Sequence, residues 1–264
     1  MNRNSRYNNI LSLLKSNPDI SVTRLSELLG VSQVTVRKYL SQMEKNGELV
    51  RVYGKAKLLA DPQSHINSCF IEPEQLNDYR AKQIIGSLAS DLVEDDDFIF
   101  IGPGYTCLEL AKQLGGKKRL SIFTTNISAA IELSMFENPA FSETKLRVAP
   151  GDFTKRNGTY YVSGLDTIEY FKDSYFDKVF ITADGISQRG FTVLDEITAQ
   201  IYTAIIKPQT KVYICATNEK FGKNAMAPIG PLNLASAVIS DAEFPESFAS
   251  VFREKGVELI YPQD

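Results

Sequence analysis

The chain is short of the residues that most often build metal and disulfide chemistry. Its 264 residues include a single histidine, His65, and three cysteines, Cys69, Cys107 and Cys215, that lie far apart. An odd, scattered set of thiols is no disulfide framework and points to a reducing compartment. His65 and Cys69 share i, i+4 spacing but have no further ligands beside them, so neither a metal nor a cofactor is expected. No apolar run approaches the roughly 18 residues that a membrane span needs. The opening MNRNSRYNN has no apolar h-region, and a cytoplasmic protein without a membrane partner is the expectation.

What is present is unevenly charged. The net charge is −3, yet residues 1–60 carry ten Lys and Arg against four acids, which leaves −9 on the remainder. A basic head on an acidic body suggests two parts with different partners, one of them a polyanion. Three parts are expected: a head at 1–60, a linker at 61–77 marked by Asp61-Pro62 and Glu72-Pro73, and a body at 78–264.

The head begins with three helical patterns. Tyr7, Ile10, Leu11 and Leu14 form the first stripe, and Asn17-Pro18 stops it. Ser21 can cap a second helix with Leu25, Leu28 and Leu29 on one face, and Gly30 can break it. Ser32 can cap a third, with Val36, Leu40 and Met43 inward and Gly47 at its end. Leu49–Tyr53 and Lys57–Leu59 then read as a basic hairpin. This is a winged helix-turn-helix, whose third helix enters the major groove of double-stranded DNA. Ser32, Gln33, Val34, Thr35, Arg37 and Lys38 occupy its leading end. Gln33 suits an adenine edge, Val34 a thymine methyl, and Arg37 or Lys38 a guanine or a phosphate. Arg51, Lys55 and Lys57 on the wing suit phosphates.

The segment from Ile20 to Leu58 resembles the N-terminal domain of DeoR-type bacterial transcriptional regulators. The match runs through Gly30-Val31-Ser32, Val36-Arg37-Lys38 and Arg51-Val52-Tyr53-Gly54. Tyr39 stands where that family usually has Asp, and Lys55 where it has a second Gly.

In the body, apolar strands are expected near 97–101, 119–124, 145–149, 177–182, 211–216, 237–240 and 257–261. Helices are expected near 74–93, 106–114, 127–136, 164–173, 195–206 and 246–255. That alternation reads as an α/β fold with a mostly parallel, Rossmann-like sheet, whose site lies at the carboxyl ends of the strands. Polar loops fall there: Gly102, Gly104, Tyr105 and Thr106 after the first strand, Thr125 and Asn126 after the second, and Gly151 after the third. Asp184 and Gly185 follow the fourth, and Lys220 follows the fifth. The first loop's amides, Thr106 and Lys220 suit a phosphate, while Asn126 and Asp184 suit hydroxyls, so the composite fits a phosphorylated polyol.

The body in turn resembles the DeoR-type sensor domain, related to ribose-5-phosphate isomerase and glucosamine-6-phosphate deaminase. The segments that match include Gly104-Tyr105-Thr106, Thr125-Asn126-Ile127-Ser128, Ala183-Asp184-Gly185-Ile186 and Lys220-Phe221-Gly222. The resemblance implies a repressor of sugar or related metabolism controlled by a phosphorylated effector. Gly102-Pro103 replaces the family's Asp-Ser, Tyr105 its middle Thr, and Thr217 its Asp before the lysine.

No catalytic residue is expected. The isomerase relatives carry a second carboxylate where Ser187 stands, and a serine is no base near neutral pH without activation. A sugar-phosphate isomerase and a DNA-binding protein with a non-functional pocket remain the alternatives. Helix-turn-helix modules generally act in pairs, so a homo-oligomer, dimer or tetramer, is expected.

Overall fold

A computed structural model describes residues 7, 9, 10, 12–14, 20–45, 49–52, 55–58, 78–137, 139–156 and 158–263, with the backbone alone at 50–52, 55–58 and 140. The expected linker, the wing turn at Gly54, the stop at Pro18, Gly47, His65 and Cys69 lie outside these residues. The chain divides into two compact units, Met1–Cys69 and Phe70–Asp264.

In the first unit, helix α1 (Val22–Leu29) is capped by Ser21, whose hydroxyl accepts from the Arg24 N–H at 3.1 Å. It ends at Gly30, whose left-handed φ of 61° turns the chain toward helix α2 (Gln33–Lys45). Ser32 caps that helix by accepting from the Thr35 N–H at 3.2 Å. Leu25, Val36, Leu40 and Met43 close a small core with Ile10, Leu14, Ile20 and Leu49. Leu29 packs at its margin, but Leu28 is about half exposed, because the stripe on this short helix is narrower than its leucines suggest. Strands β1 (Leu49–Val52) and β2 (Lys55–Leu58) pair antiparallel, with Val52 opposite Lys55.

The second unit is an α/β domain around a seven-stranded, wholly parallel sheet. Helix α3 (Tyr79–Asp91) precedes β3 (Phe98–Ile101), α4 (Tyr105–Lys112), β4 (Ser121–Thr124), α5 (Ile127–Ser134) and β5 (Lys145–Val148). A hairpin of β6 (Asp152–Arg156) and β7 (Thr159–Ser163) follows, then α6 (Leu165–Phe171) and β8 (Lys178–Thr182). Strands β9 (Gly185–Ser187) and β10 (Gly190–Val193) lead to α7 (Glu196–Ile205) and β11 (Lys211–Cys215). Last come β12 (Ala227–Gly230), β13 (Ala237–Ile239), α8 (Glu246–Glu254) and β14 (Glu258–Ile260). The sheet order is β14-β13-β11-β8-β3-β4-β5; β12-β10-β9 and β6-β7 form separate antiparallel sheets.

Apolar runs such as Phe98-Ile99-Phe100-Ile101 become central strands because both faces of a parallel sheet are covered. Ile99 and Ile101 join one core with Phe180, while Phe100 joins the other with Phe171 and Ile181. Each such side chain contributes roughly 1.5–3 kcal/mol by leaving water. The winding direction reverses between β3 and β8, and at such a switch the loops diverge and leave a crevice.

Candidate functional site

On α2 the inward stripe leaves one outer face. Gln33, Val34, Arg37 and Lys38 are exposed there, Val34 to 74%. Ser32 is exposed and Thr35 half-buried, and their hydroxyls lie 2.9 Å apart. Gln33 Nε2 donates to Thr23 Oγ1 at 3.3 Å, so its side chain is anchored against α1. The Arg51, Lys55 and Lys57 side chains lie outside the described residues, although the strands that carry them are paired.

In the second unit, the crevice holds two adjoining depressions. The larger, about 120 Å³, lies at the start of α4. Gly104 ends the preceding loop with φ of 99° and offers no side-chain cap to the first turn of α4, whose Tyr105 and Thr106 line the depression beside the positive end of the helix dipole. Lys82 and Lys220 both line it, together with Thr106, Asp184 and Thr217. Lys220 Nζ lies 2.8 Å from Glu219, with both side chains partly exposed. Burial lowers the Lys82 pKa; Asp78 opposes that shift, Lys220 adds to it, and Glu219 opposes it. Thr217 Oγ1 is buried and has no hydrogen-bond partner. A buried hydroxyl left alone costs about 1–3 kcal/mol and calls for an explanation.

The smaller depression, about 70 Å³, shares Gly104, Thr182 and Asp184 with the first. Arg156 crosses it from the β6–β7 hairpin, 3.3 Å from Asp195 and 3.7 Å from Asp184. Asp195 also caps α7, accepting from the Thr198 N–H at 2.7 Å, and Asp184 accepts from the Leu194 N–H at 3.0 Å. Thr159, Tyr161 and Thr198 line the remainder. Two carboxylates against one guanidinium leave this half acidic, whereas two lysines against Asp184 make the lining of the first half the more basic of the two.

Of the loop residues expected to form the site, Gly104, Tyr105, Thr106, Asp184 and Lys220 line the larger depression together. Others stand behind it. Gly102 donates its N–H to Phe180 O at 2.8 Å. Asn126 Nδ2 donates to the carbonyls of Gly102 at 3.3 Å and Gly104 at 3.0 Å, while its Oδ1 caps α5 at the Ala129 N–H. Its amide is thereby spent on holding the glycine loop. The Thr125 carbonyl accepts from the Val162 N–H, and its buried hydroxyl has no partner. Gly151 packs against Thr167 and Ser163, and Gly185 against Lys223 and Asn224, both outside the two depressions. Tyr105 is nearly buried, its ring edge-on to Tyr79 at 5.8 Å. Burial raises its phenol pKa, with Lys112 opposing.

Residues 77–242 match the family model of the DeoR C-terminal sensor domain, and residues 6–61 match the DeoR-like helix-turn-helix domain. The chain belongs to the DeoR family. The glycerol-3-phosphate regulon repressor of Escherichia coli (strain K12) is 25% identical over 98% of this chain and 99% of its own. The lactose phosphotransferase system repressor of Lactococcus lactis is 25% identical over 96% of this chain and 97% of its own. Both are named as repressors, not enzymes, and this DeoR-family chain is a transcriptional regulator with a DNA-binding domain and a sensor domain. Among solved structures, ribose 5-phosphate isomerase A from Methanocaldococcus jannaschii aligns with 55% of each chain at 15% identity and TM-score 0.36.

Among the lining residues of this DeoR sensor domain that escape a reading of the strand-end loops are Lys82, Arg156, Tyr161, Thr182 and Asp195. Lys82 comes from the helix before the first strand, where no local motif marks it. Thr217 shows in the sequence only as a departure from the family pattern. The Cys107 thiol, at the start of α4, is pushed up to about 12 by burial and donates to Phe180 O at 3.5 Å. It is held as a neutral packed group, the opposite of an activated nucleophile. Among the described residues, no cluster of three or more potential metal ligands occurs, and no helix is long and apolar enough to cross a membrane.

Proposed function

We propose that this regulator is a repressor whose α2 helices, paired in a homo-oligomer, bind operator DNA and are released when a phosphorylated polyhydroxy metabolite enters the sensor crevice. The phosphate sits in the basic half, against the free N–H groups of α4, Lys220 and Thr217. The hydroxyl-bearing remainder extends past Thr182 and Asp184 into the acidic half, where Asp184, Asp195 and Arg156 read it. One observation carries this reading: the buried Thr217 hydroxyl has no partner and lies beside a helix N-terminus and two lysines. The name of the glycerol-3-phosphate regulon repressor makes a small phosphate ester the natural first ligand to try. On α2, Arg37 and Lys38 are exposed beside Val34, which suits a face that reads base edges.

The test is fluorescence anisotropy with the full-length protein and a DNA fragment selected from a random pool. Wild-type protein binds tightly, and millimolar glycerol 3-phosphate or a hexose phosphate releases it. Arg37→Ala weakens DNA binding about 10- to 100-fold, the range for losing one base or phosphate contact, and leaves ligand affinity unchanged. Selective DNA binding that no phosphate ester alters refutes the sensor assignment; absence of DNA selection refutes the interface.

A further inference from the structure

Helix α3 is the first element of the second unit's described residues, and the chain arriving from the first unit enters it at Asp78. Its seat is dictated by Gly86, where a Cβ would come within 2.6 Å of the Glu109 carbonyl carbon on α4. Glycine alone allows the two helix backbones to lie that close. One turn earlier on the same face is Lys82, which the close crossing delivers to the mouth of the depression at the start of α4. The Tyr79 ring, edge-on to Tyr105, holds the same crossing at its first turn.

The charges at that mouth are arranged in opposition. Asp78 occupies the N-cap position of α3 with a left-handed φ of 60°, a conformation that aspartate tolerates at some strain, and its carboxylate makes no capping bond to its own helix. Asp78 stands one turn before Lys82, whose N–H donates to the Asp78 carbonyl at 3.1 Å, so the two side chains share a helix face. The carboxylate opposes the burial-driven fall in the Lys82 pKa, and Glu219 pairs with Lys220 at 2.8 Å. Lys82, Lys220 and Asp184 thus line a depression that also holds the unpartnered Thr217 hydroxyl, and Asp78 and Glu219 stand beside its two lysines. A phosphate dianion entering there competes with Asp78 and Glu219 for the same two ammonium groups.

Resting on the proposed phosphate site, we infer that Lys82 is its second cation and that Asp78 is the carboxylate the phosphate displaces, so that ligand capture resets the first turn of α3 where the connecting chain joins it. The consequence is directional. Lys82 drawn toward the phosphate frees Asp78, the N-cap position of α3 and the first described residue of the second unit. Occupancy of the crevice is thus converted into a change at that junction without movement of the sheet, an equilibrium that both ligand and junction bias.

The experiment uses full-length protein and inorganic phosphate as probe, with affinity from phosphorus-31 line broadening and backbone amide exchange followed over the first turns of α3. Four proteins are compared: wild type, Lys82→Gln, Asp78→Asn and Lys220→Gln, each checked for an unchanged melting curve without phosphate. Lys82→Gln is expected to weaken phosphate by about tenfold, and Asp78→Asn to tighten it by about threefold, since it removes a competitor for the same ammonium. Phosphate slows exchange in the first turn of α3 in wild type and not in Lys82→Gln. If Lys220→Gln loses phosphate while Lys82→Gln binds as wild type, Lys82 has no such role and the phosphate site stands. If Asp78→Asn binds as wild type, or exchange in α3 ignores phosphate, the displacement is refuted. If wild type binds no phosphate, the site and this inference fall together.

Discussion

Replacing Thr217 with valine separates a built ligand site from a packing accident, because the two states of the protein are expected to respond with opposite sign. Valine keeps the branched shape and puts a methyl where Oγ1 is buried without a partner. In the ligand-free protein the substitution deletes an unsatisfied polar group whose cost is about 1–3 kcal/mol. Allowing for imperfect fit of the new methyl, a gain of about 1 kcal/mol is expected. For a domain of this size that raises the melting temperature by about 2–4 °C. On the proposed reading, the same hydroxyl donates to a charged phosphate oxygen in the liganded protein, an interaction worth about 1.5–3 kcal/mol. Its loss weakens the ligand by about 10- to 150-fold, since about 1.4 kcal/mol is a factor of ten. The assay is differential scanning fluorimetry of wild type and variant across a concentration series of the releasing phosphate ester. A ligand-free variant that melts lower than wild type means that the hydroxyl already has a partner. A ligand-induced shift equal to that of wild type means that Thr217 does not face the phosphate, and the basic half of the crevice has been misread.

Two further outcomes test the frame around the site. At Gly190, φ is 128° and an added Cβ would meet Gly230 O at 2.1 Å, so Gly190→Ala combines backbone strain with overpacking between β10 and β12. A loss of about 2–4 kcal/mol in urea unfolding is expected, and a loss under 1 kcal/mol would mean that this small sheet yields. The Cys107 thiol is lifted from 9.0 to about 12 by burial, so the folded state keeps a proton that the unfolded state releases. Stability from this group is intact below pH 9 and falls by about 1.4 kcal/mol per pH unit as pH climbs from 9 toward 12. Urea titrations between pH 8 and 11 should show that decline lessened in Cys107→Ala; an equal decline would place the thiol in water.

The central strands were legible because a strand covered on both faces must be apolar throughout. Lys211–Cys215 and Lys178–Thr182 each read as one uninterrupted run ending at small or polar residues. The β6–β7 hairpin was not legible. Asp152–Arg156 is half exposed and charged, and no apolar alternation marks it. Strands β9 and β12 are three and four residues long, and β12 contains Pro228, which argues locally against a strand. The same division runs through the site. Gly104, Tyr105 and Thr106 could be read because a strand, a glycine turn and a helix are contiguous. Lys82 could not, because only the helix crossing at Gly86 brings it to the crevice. Asn126 shows the converse: its position at a strand end suggests a ligand contact, but the helix start and the loop carbonyls claim its amide.

The hairpin that sequence patterns pass over also decides how such a protein can change. Arg156 and Thr159 flank the turn of a two-stranded ribbon that shares no ladder with the seven-stranded sheet. One wall of the crevice is therefore mounted on an element whose tip can be lengthened, shortened or recharged without repacking Phe100, Phe171 or Phe180. The end proposed to hold the phosphate is committed to the fold, because it is made of a helix start and strand ends. The other end is a replaceable fitting. If the proposed site is right, an architecture divided in this way lets a lineage change its ligand by drift in one surface turn while the phosphate anchor is inherited unchanged.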